Sequence, residues 1–158
     1  MRKPSAVGRV DLAELVSNTQ QFVRDFHLAF GLGAPTNPSV DAFPGLIRLK
    51  LLEEELDELR SATDRSDLVE IIDALCDLLY VTYGAAVSLG VDLGPFFAEV
   101  HKTNMAKRGS AGGLRTKPVK PRNWSAPRIA AIVDAMYGQA QRTKRQARRG
   151  SPSQRRAR

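Results

Sequence analysis

The sequence predicts an all-α fold, an antiparallel helical bundle of about four to five helices that is completed by oligomerisation. Apolar residues recur at three- and four-residue steps in several long segments, and short turns rich in proline and glycine separate these segments. With 158 residues, 42% of them apolar, the chain can bury one good core. We therefore predict one domain over residues 11–138, between a flexible N-terminus (1–10) and a disordered basic tail (139–158).

The first helix is expected to begin after Asp11, which can cap it, and to end at 31–33, where two glycines lie. Its apolar stripe consists of Leu12, Leu15, Val16, Thr19, Phe22, Val23, Phe26 and Phe30. Three phenylalanines on one stripe are mostly core, and the alternative is that Phe22, Phe26 or His27 lines a slot in which a nucleobase stacks. His27 alone is expected at the surface or behind other site residues. Residues 34–44, with three prolines, are predicted to form a loop.

The next two helices are predicted at about 44–60 and 66–90, joined by a link at 61–65. A link this short makes the two helices antiparallel neighbours. The third helix is apolar nearly all round, which indicates burial on more than one side. Since Gly84, Ala85 and Ala86 permit close helix approach, we expect a homodimer or homotetramer in which a second copy covers the outer face. Cys76 is expected to be a small buried helix residue.

Two shorter helices complete the predicted bundle. Pro95 suits the first turn of a fourth helix that runs to about Lys107. Ser125 and Pro127 are expected to begin a last helix, whose buried stripe is Ile129, Ile132, Val133 and Met136.

The feature that points to function is a concentration of acidic residues on the second and third helices. Ten of the 25 residues from Glu53 to Asp77 are acidic, and only Arg60 and Arg65 in this segment are basic. Residues three and four apart share a helix face, so Glu54 and Glu55 lie near Glu58, while Glu70, Asp73 and Asp77 form a second row facing them. A solvated surface is the ordinary explanation of a charge run. The scarcity of Lys and Arg favours a Mg²⁺ site instead, because Mg²⁺ is usually bound by a few carboxylates together with substrate phosphates.

Glu70 has a competing explanation. Asp67 and Glu70 have the spacing of a capping box, in which the side chain of Glu70 would bond the start of the third helix. Asp73 and Asp77 are therefore preferred to Glu70 as metal ligands.

The net charge of +7 is unevenly distributed. Eight basic residues and no acidic ones follow Gln139, so the first 138 residues carry −1, which is +7 less eight. The tail is expected to bind polyanions, including nucleic acid, only weakly and in a salt-dependent way. A second basic stretch runs from His101 to Arg128, with eight Lys and Arg residues and no acidic residue, and it is suited to a lid over a polyphosphate or to an ordinary solvated loop. A single cysteine and the lack of an apolar signal core or membrane-length apolar run lead us to expect a cytoplasmic protein that does not bind membranes.

Several segments, taken in order, resemble one enzyme superfamily. These are LLEEELDEL (51–59), DALCDLLYVTYG (73–84), FFAEVHKTNMAK (96–107) and the Lys-Pro-x-x-Trp pattern that ends at Trp124. Together they are similar to the MazG-like all-α nucleoside triphosphate pyrophosphatases, including the phosphoribosyl-ATP pyrophosphohydrolase-like branch. The resemblance covers roughly residues 20–135.

The resemblance implies hydrolysis of a nucleoside triphosphate to the monophosphate and pyrophosphate, with Mg²⁺ as cofactor and Mn²⁺ as a substitute. Glu55 and Glu58 match the Glu-x-x-Glu pair of the family, and Asp77 matches the Asp that closes the second motif. The family has Glu three residues before that Asp, where this chain has Ala74, and we interpret Asp73 as the replacement. Phosphate contacts are implied for Asn104, Lys107 and Lys120.

The predicted function is therefore a nucleoside triphosphate diphosphatase, a housecleaning enzyme for which dUTP ranks first among substrates. Glu55 is the candidate catalytic base, and the predicted metal ligands are Glu54, Glu55, Glu58, Asp73 and Asp77. One alternative is hydrolysis of phosphoribosyl-ATP in histidine biosynthesis. Another is a non-catalytic module that binds nucleotide or nucleic acid, which the absence of Glu at position 74 would favour.

Overall fold

The computed structural model describes residues 11–109 and 117–138, and the parts of the chain outside these ranges include the predicted flexible N-terminus, the glycine-rich centre of the basic stretch and the predicted basic tail. The described residues form five helices and no strand, which confirms the all-α prediction. The helices are α1 (Leu12–Ala29), α2 (Gly45–Asp64), α3 (Leu68–Leu89), α4 (Gly94–Met105) and α5 (Ile129–Gly138). The chain divides into two compact units after Ala98.

In the first unit, α3 packs against both α1 and α2. The core contains Val16 and Val23 of α1 and Tyr83 of α3, with Leu93 packed against them. Polar contacts attach α1 to the turn after α3, where Gln20 Nε2 donates to the carbonyl of Val91 at 2.7 Å and Gln20 Oε1 accepts from the amide of Leu93 at 3.0 Å. α1 and the α3–α4 turn are therefore held together by apolar packing and by hydrogen bonds.

Helix ends follow the capping rules at three places. Asp11 accepts from the amides of Ala13 and Glu14, and Asp67 accepts from those of Val69 and Glu70. Gly90 ends α3 in the left-handed conformation, with φ of 81°. A side chain there would also meet the carbonyl oxygen of Asn37 at 2.5 Å.

Three sequence expectations for α2 and α3 are wrong. α2 continues for one more turn than predicted, to Asp64, because Ala62 is buried and Thr63 bonds the carbonyl of Leu59 within the helix. The link is therefore shorter, and in it Ser66 adopts φ of 54°. Cys76 is exposed. Gly84 and Ala86 are buried within the chain, so they are not available to a second copy.

The phenylalanines of α1 are also placed differently. The buried face of α1 is the row Val16, Gln20, Val23 and His27. Phe22 is 72% exposed and Phe30 is 68% exposed, so this stripe is not core in the single chain. His27, expected near the surface, is 2% exposed. The buried row is shifted by one residue from the predicted stripe. Gln20 and His27 find polar partners inside, whereas Phe22 and Phe30 are mostly exposed and Phe26, which meets Tyr80 of α3, is 40% exposed.

α3 is long and apolar enough to cross a membrane by length and composition. One such helix is weak evidence for a membrane span, because core helices of soluble proteins pass the same test. Here α3 packs against α1 and α2.

The second unit contains the end of α4, the segment after it and α5. The amide and carbonyl of Arg108 pair with those of Val119 at 2.9 and 2.8 Å. Trp124 Nε1 donates to the carbonyl of Thr103 at 2.8 Å, which attaches the segment to α4. α5 begins at Ile129, later than predicted, and its expected stripe is only half right, since Ile129 and Met136 are exposed while Tyr137 is buried.

Candidate active site

The antiparallel pair of α2 and α3 carries the predicted metal ligands. Glu54, Glu55 and Glu58 lie on α2, and Asp73 and Asp77 lie on α3. Glu55 is partly buried and the other four are exposed.

The pKa of Glu55 shows that these carboxylates act on one another. Partial burial raises the pKa of Glu55 above its ordinary value, and the negative charge of Asp77 raises it further. Smaller contributions in the same direction come from Glu58, Glu54 and Asp73. The four groups that repel Glu55 are the four predicted with it as metal ligands, and two of them belong to the opposite helix.

The donor set fits Mg²⁺ in its chemistry, since all five groups offer oxygen and Mg²⁺ prefers oxygen ligands. No three His, Cys, Asp or Glu side chains in the described part of the chain are close enough to form a metal site by themselves. An open arrangement of this kind matches an ion that keeps several waters and is bound jointly with substrate phosphates.

Few cations neutralise the two rows. Lys50 Nζ lies 3.2 Å from Glu54 Oε1, and Arg60 Nη1 lies 2.5 Å from Asp57 Oδ1. Both pairs are exposed, so each contributes little to stability. Arg65 bonds the hydroxyl of Ser61. The sequence search missed Lys50 because this residue precedes the acidic segment.

Glu70 does not form the reciprocal half of the predicted capping box. Asp67 caps α3, but the amide of Asp67 donates to the carbonyl of Ala62 at 3.0 Å and not to the side chain of Glu70. Glu70 is also not among the carboxylates that raise the pKa of Glu55. Its assignment as an additional metal ligand stays a prediction.

Ala74 is buried, whereas its neighbours Asp73 and Asp77 on α3 are exposed. It is 3% exposed. A glutamate side chain at position 74 would begin in a buried environment, whereas Asp73 is exposed.

In the second unit, two of the predicted phosphate ligands lie beside Trp124, and the third, Asn104, is bonded to one of them. Lys107 Nζ lies 5.9 Å from the centre of the indole ring and Lys120 Nζ lies 4.3 Å from it. Lys107 Nζ also donates to Asn104 Oδ1 at 2.6 Å, so the oxygen of Asn104 is the acceptor in this bond and its NH₂ group is a donor; its phosphate contact stays a prediction. Two ammonium groups beside one ring form a cationic cluster of Asn104, Lys107, Lys120 and Trp124.

The residues proposed to contact a base are only partly together. The ring of Phe26 lies 5.8 Å from Tyr80 in an edge-on arrangement and 4.6 Å from Phe30. Both Phe26 and Tyr80 are about 40% exposed, so an aromatic surface is available on this side of α1 and α3. His27 does not belong to this exposed aromatic surface, because its side chain is fully buried.

His27 contacts an arginine that the sequence analysis did not single out. The Nδ1 atom of His27 lies 3.0 Å from the carbonyl oxygen of Gly33, and its Nε2 atom lies 3.4 Å from Arg48 Nη2. A carbonyl can only accept and a guanidinium can only donate, so this pattern requires the neutral imidazole with its proton on Nδ1. Burial lowers the pKa of His27, and the charges of Arg48 and Arg24 lower it further, although the bond to Gly33 acts in the opposite direction.

The sequence of this chain matches one family model and one other protein over part of its length. The family model of phosphoribosyl-ATP pyrophosphohydrolase matches residues 23–104, just over half of the chain. The chain is also 37% identical over 78 residues to "Uncharacterized protein L479" of Acanthamoeba polyphaga mimivirus, an alignment that covers 46% of this chain and 31% of the viral protein. The chain therefore spans about a third of that relative's length. The family match includes both carboxylate rows and Asn104, and it ends before Lys107.

Proposed function

Since the chain belongs to the phosphoribosyl-ATP pyrophosphohydrolase family of the MazG-like all-α superfamily, we propose that it is a Mg²⁺-dependent nucleoside triphosphate pyrophosphohydrolase. The reaction converts a nucleoside triphosphate and water to the monophosphate and pyrophosphate. The observation that carries the proposal is the mutual repulsion of Glu55 with Glu54, Glu58, Asp73 and Asp77 across the α2–α3 pair. A bound cation would explain why several carboxylates that repel Glu55 lie together with only one close cation among the described residues, Lys50 beside Glu54.

Each group has a separate role in the proposal. Glu54, Glu58, Asp73 and Asp77 bind Mg²⁺, with Mn²⁺ as a substitute, and Glu55 both binds the ion and accepts a proton from the attacking water. The bound ion would supply charge neutralisation of the triphosphate and a lowered pKa of its water.

The cationic cluster is proposed to bind phosphate oxygens. Lys107 and Lys120 act as point charges, and the amide of Asn104 donates a neutral hydrogen bond. The indole ring of Trp124, anchored by its bond to Thr103, lies beside both lysines.

Two substrates are considered. dUTP ranks first, within a housecleaning role on non-standard or excess nucleotides. Phosphoribosyl-ATP is the second candidate, because it is the substrate named by the matching family model.

The test is pyrophosphate release from a panel that contains standard and altered nucleoside triphosphates, dUTP and phosphoribosyl-ATP, with Mg²⁺ and with chelator. Glu55→Gln is expected to lower kcat by about 100-fold or more. Glu53→Gln is the matched control, because Glu53 is exposed on the same helix and is not among the groups that act on Glu55. If folded wild-type protein cleaves no compound with either Mg²⁺ or Mn²⁺, the hydrolase proposal is wrong.

A truncation after Gly138 separates the enzyme from a nucleic-acid-binding module. An enzyme of the proposed kind keeps its turnover without residues 139–158. A module that binds through its basic tail loses affinity and salt dependence.

We also propose that the protein is a homodimer in the cytoplasm. Support for the dimer comes from three apolar side chains of α3 that are each about half exposed, namely Ile72, Leu75 and Leu79. A second copy of the same helix is the partner that these side chains fit, since apolar surface on one copy can bury the same surface on the other.

A further inference from the structure

Arg48 of α2 extends into the space between three helices. Its Nη2 atom is 3.4 Å from His27 Nε2 on α1. On α3, a Cβ atom added to Gly84 would lie 3.2 Å from Arg48 Nη1 and 3.4 Å from His27 Nε2. Glycine at position 84 therefore leaves the room that the guanidinium occupies.

The hydrogen-bonding capacity of Arg48 is not used up. Its Nε atom is buried and has no hydrogen-bond partner among the residues that the structure describes. None of the ion pairs found within residues 11–109 and 117–138 includes it. A guanidinium has five N–H donors and no acceptor, and leaving buried donors unpaired is costly. The arrangement therefore suits a ligand that offers acceptor atoms.

Arg48 also lies in line with the carboxylate rows. Arg48 and Glu55 are seven residues apart on one face of α2, which is about 10.5 Å along the helix axis. Asp77 and Gly84 have the same separation on α3, with Asp77 acting on Glu55 and Gly84 next to Arg48. Between these two levels lies Tyr80, whose ring contacts Phe26. Along the helix pair, the carboxylates proposed to hold the triphosphate are therefore followed by an aromatic pair suited to stacking with a base, and then by the guanidinium.

We propose that Arg48 is a specificity-determining residue that selects nucleobases with a carbonyl oxygen where others carry an exocyclic amino group. Uracil is then preferred to cytosine, and hypoxanthine to adenine. A carbonyl oxygen accepts from the guanidinium, whereas an amino group places a donor against a donor and leaves both unpaired. His27 positions the guanidinium through its neutral Nε2 and does not itself contact the base. This inference rests on the proposed function and narrows its substrate class.

The experiment compares kcat/KM for two matched pairs, dUTP with dCTP and ITP with ATP. In the wild type, the carbonyl-bearing member is expected to be favoured by about 10-fold or more. Arg48→Met is expected to bring both ratios close to one, by lowering kcat/KM for dUTP and ITP while changing dCTP and ATP by less than about threefold. Arg48→Lys keeps the charge and loses the planar fork, so an intermediate ratio is expected.

Arg60→Met is the matched control, because Arg60 is an exposed arginine of the same helix that pairs with Asp57. It is expected to keep the wild-type ratios. The inference is overturned if the wild type has equal kcat/KM for both members of each pair. It is also overturned if Arg48→Met lowers kcat/KM equally for all four nucleotides, or if the variant loses activity only on phosphoribosyl-ATP, assayed alongside them. The wild-type ratios and Arg48→Lys decide the question if Arg48→Met does not fold.

Binding of dUMP and dCMP, measured by calorimetry, separates failure of this inference from failure of the proposed function. If no triphosphate is hydrolysed, the proposed function is wrong, and the binding ratio alone decides the role of Arg48. A preference for dUMP that Arg48→Met abolishes supports it, and equal binding of the two monophosphates overturns it.

Discussion

Glu55 of α2 and Asp77 of α3 repel each other across the antiparallel helix pair, and the repulsion acts on a carboxylate that is already partly buried. Both groups lie in a set of five carboxylates whose described neighbours include one close cation, Lys50 beside Glu54. Without a bound ion, the repulsion among these carboxylates therefore lowers the stability of the folded protein at the place where the proposed ion binds. Residues selected for function often reduce stability in this way.

Removing one of these charges should stabilise the protein when no divalent ion is present. We expect Asp77→Asn in chelator to raise the free energy of unfolding by about 0.2–0.5 kcal/mol, the usual size of a like-charge interaction on helices. With millimolar Mg²⁺ the order should reverse, because ligand binding stabilises only the protein that keeps its ligands. Urea unfolding of both proteins under both conditions measures this. Asp64→Asn, on an exposed carboxylate that does not act on Glu55, is the control, and an unchanged order with Mg²⁺ would contradict the site.

Ala74 offers a second test of the same site. Because Ala74 is buried beside the carboxylate row, we expect Ala74→Glu to lower the free energy of unfolding by about 2 kcal/mol or more in chelator. Millimolar Mg²⁺ should recover part of this loss if the proposed ion lies nearby, since the resemblance implies Glu at this position, three residues before Asp77. Ala74→Gln has nearly the same shape without the charge, so its loss should not be recovered. Equal behaviour of the two variants would place position 74 away from the ion.

The sequence predicted the parts of this structure that depend on local rules. The start of α1 and both ends of α3 could be predicted to within a few residues, because local capping residues set them. These residues are Asp11, Asp67 and Gly90. The pairing of Glu55 with Asp77 followed from the short link between two helices. The sequence does not show which of two adjacent helix rows is buried, and so Phe22 was placed inside and His27 outside, against the structure.

The contacts of long cations could not be predicted for a related reason. Arg48 and Lys50 are two residues apart on α2, yet Arg48 reaches His27 inside the unit and Lys50 reaches Glu54 at the surface. Which partner each finds depends on the face of the helix and on space left by a residue far along the chain, Gly84. Neither condition leaves a local signal in the sequence.

The burial of His27 should make stability depend on pH. Its pKa in the folded protein lies below the ordinary value of 6.5, so the unfolded chain binds more protons as the pH falls through this range. The contribution of His27 is therefore fully present above 6.5 and is lost as the pH falls through the folded pKa. We expect wild-type stability to decrease between about pH 7 and about pH 5, and His27→Gln to decrease less. Denaturant unfolding across this range measures it. His101→Gln, on the other histidine of the chain, which is exposed, should follow the wild type.

Gly94 is required where α4 starts against α1. A Cβ atom at this position would fall well inside contact distance of the hydroxyl of Ser17 and the backbone carbonyl of Ala13. Ser17 cannot easily move, because it donates to Asp92 at 2.7 Å. We expect Gly94→Ala to lower the free energy of unfolding by about 1–3 kcal/mol, more than the helix propensity of alanine returns. Gly109→Ala, where no atom of the described residues lies within 4 Å of the added Cβ, is the control. Equal unfolding midpoints for the two variants would contradict the contact.

The exposed apolar side of α3 predicts how the proposed dimer can be separated. Leu79 is 52% exposed, and Leu75 is exposed to a similar extent one turn earlier, so a charge at position 79 would be buried without a partner in a dimer that uses this face. We expect Leu79→Lys to remain helical and to weaken self-association by about 100-fold or more, measured by sedimentation velocity over a range of concentrations. Val40→Lys, at a more exposed position in the loop before α2, should associate like the wild type. A wild type that is monomeric at micromolar concentration, or a Leu79→Lys variant that associates equally well, would show that α3 is not the dimer surface.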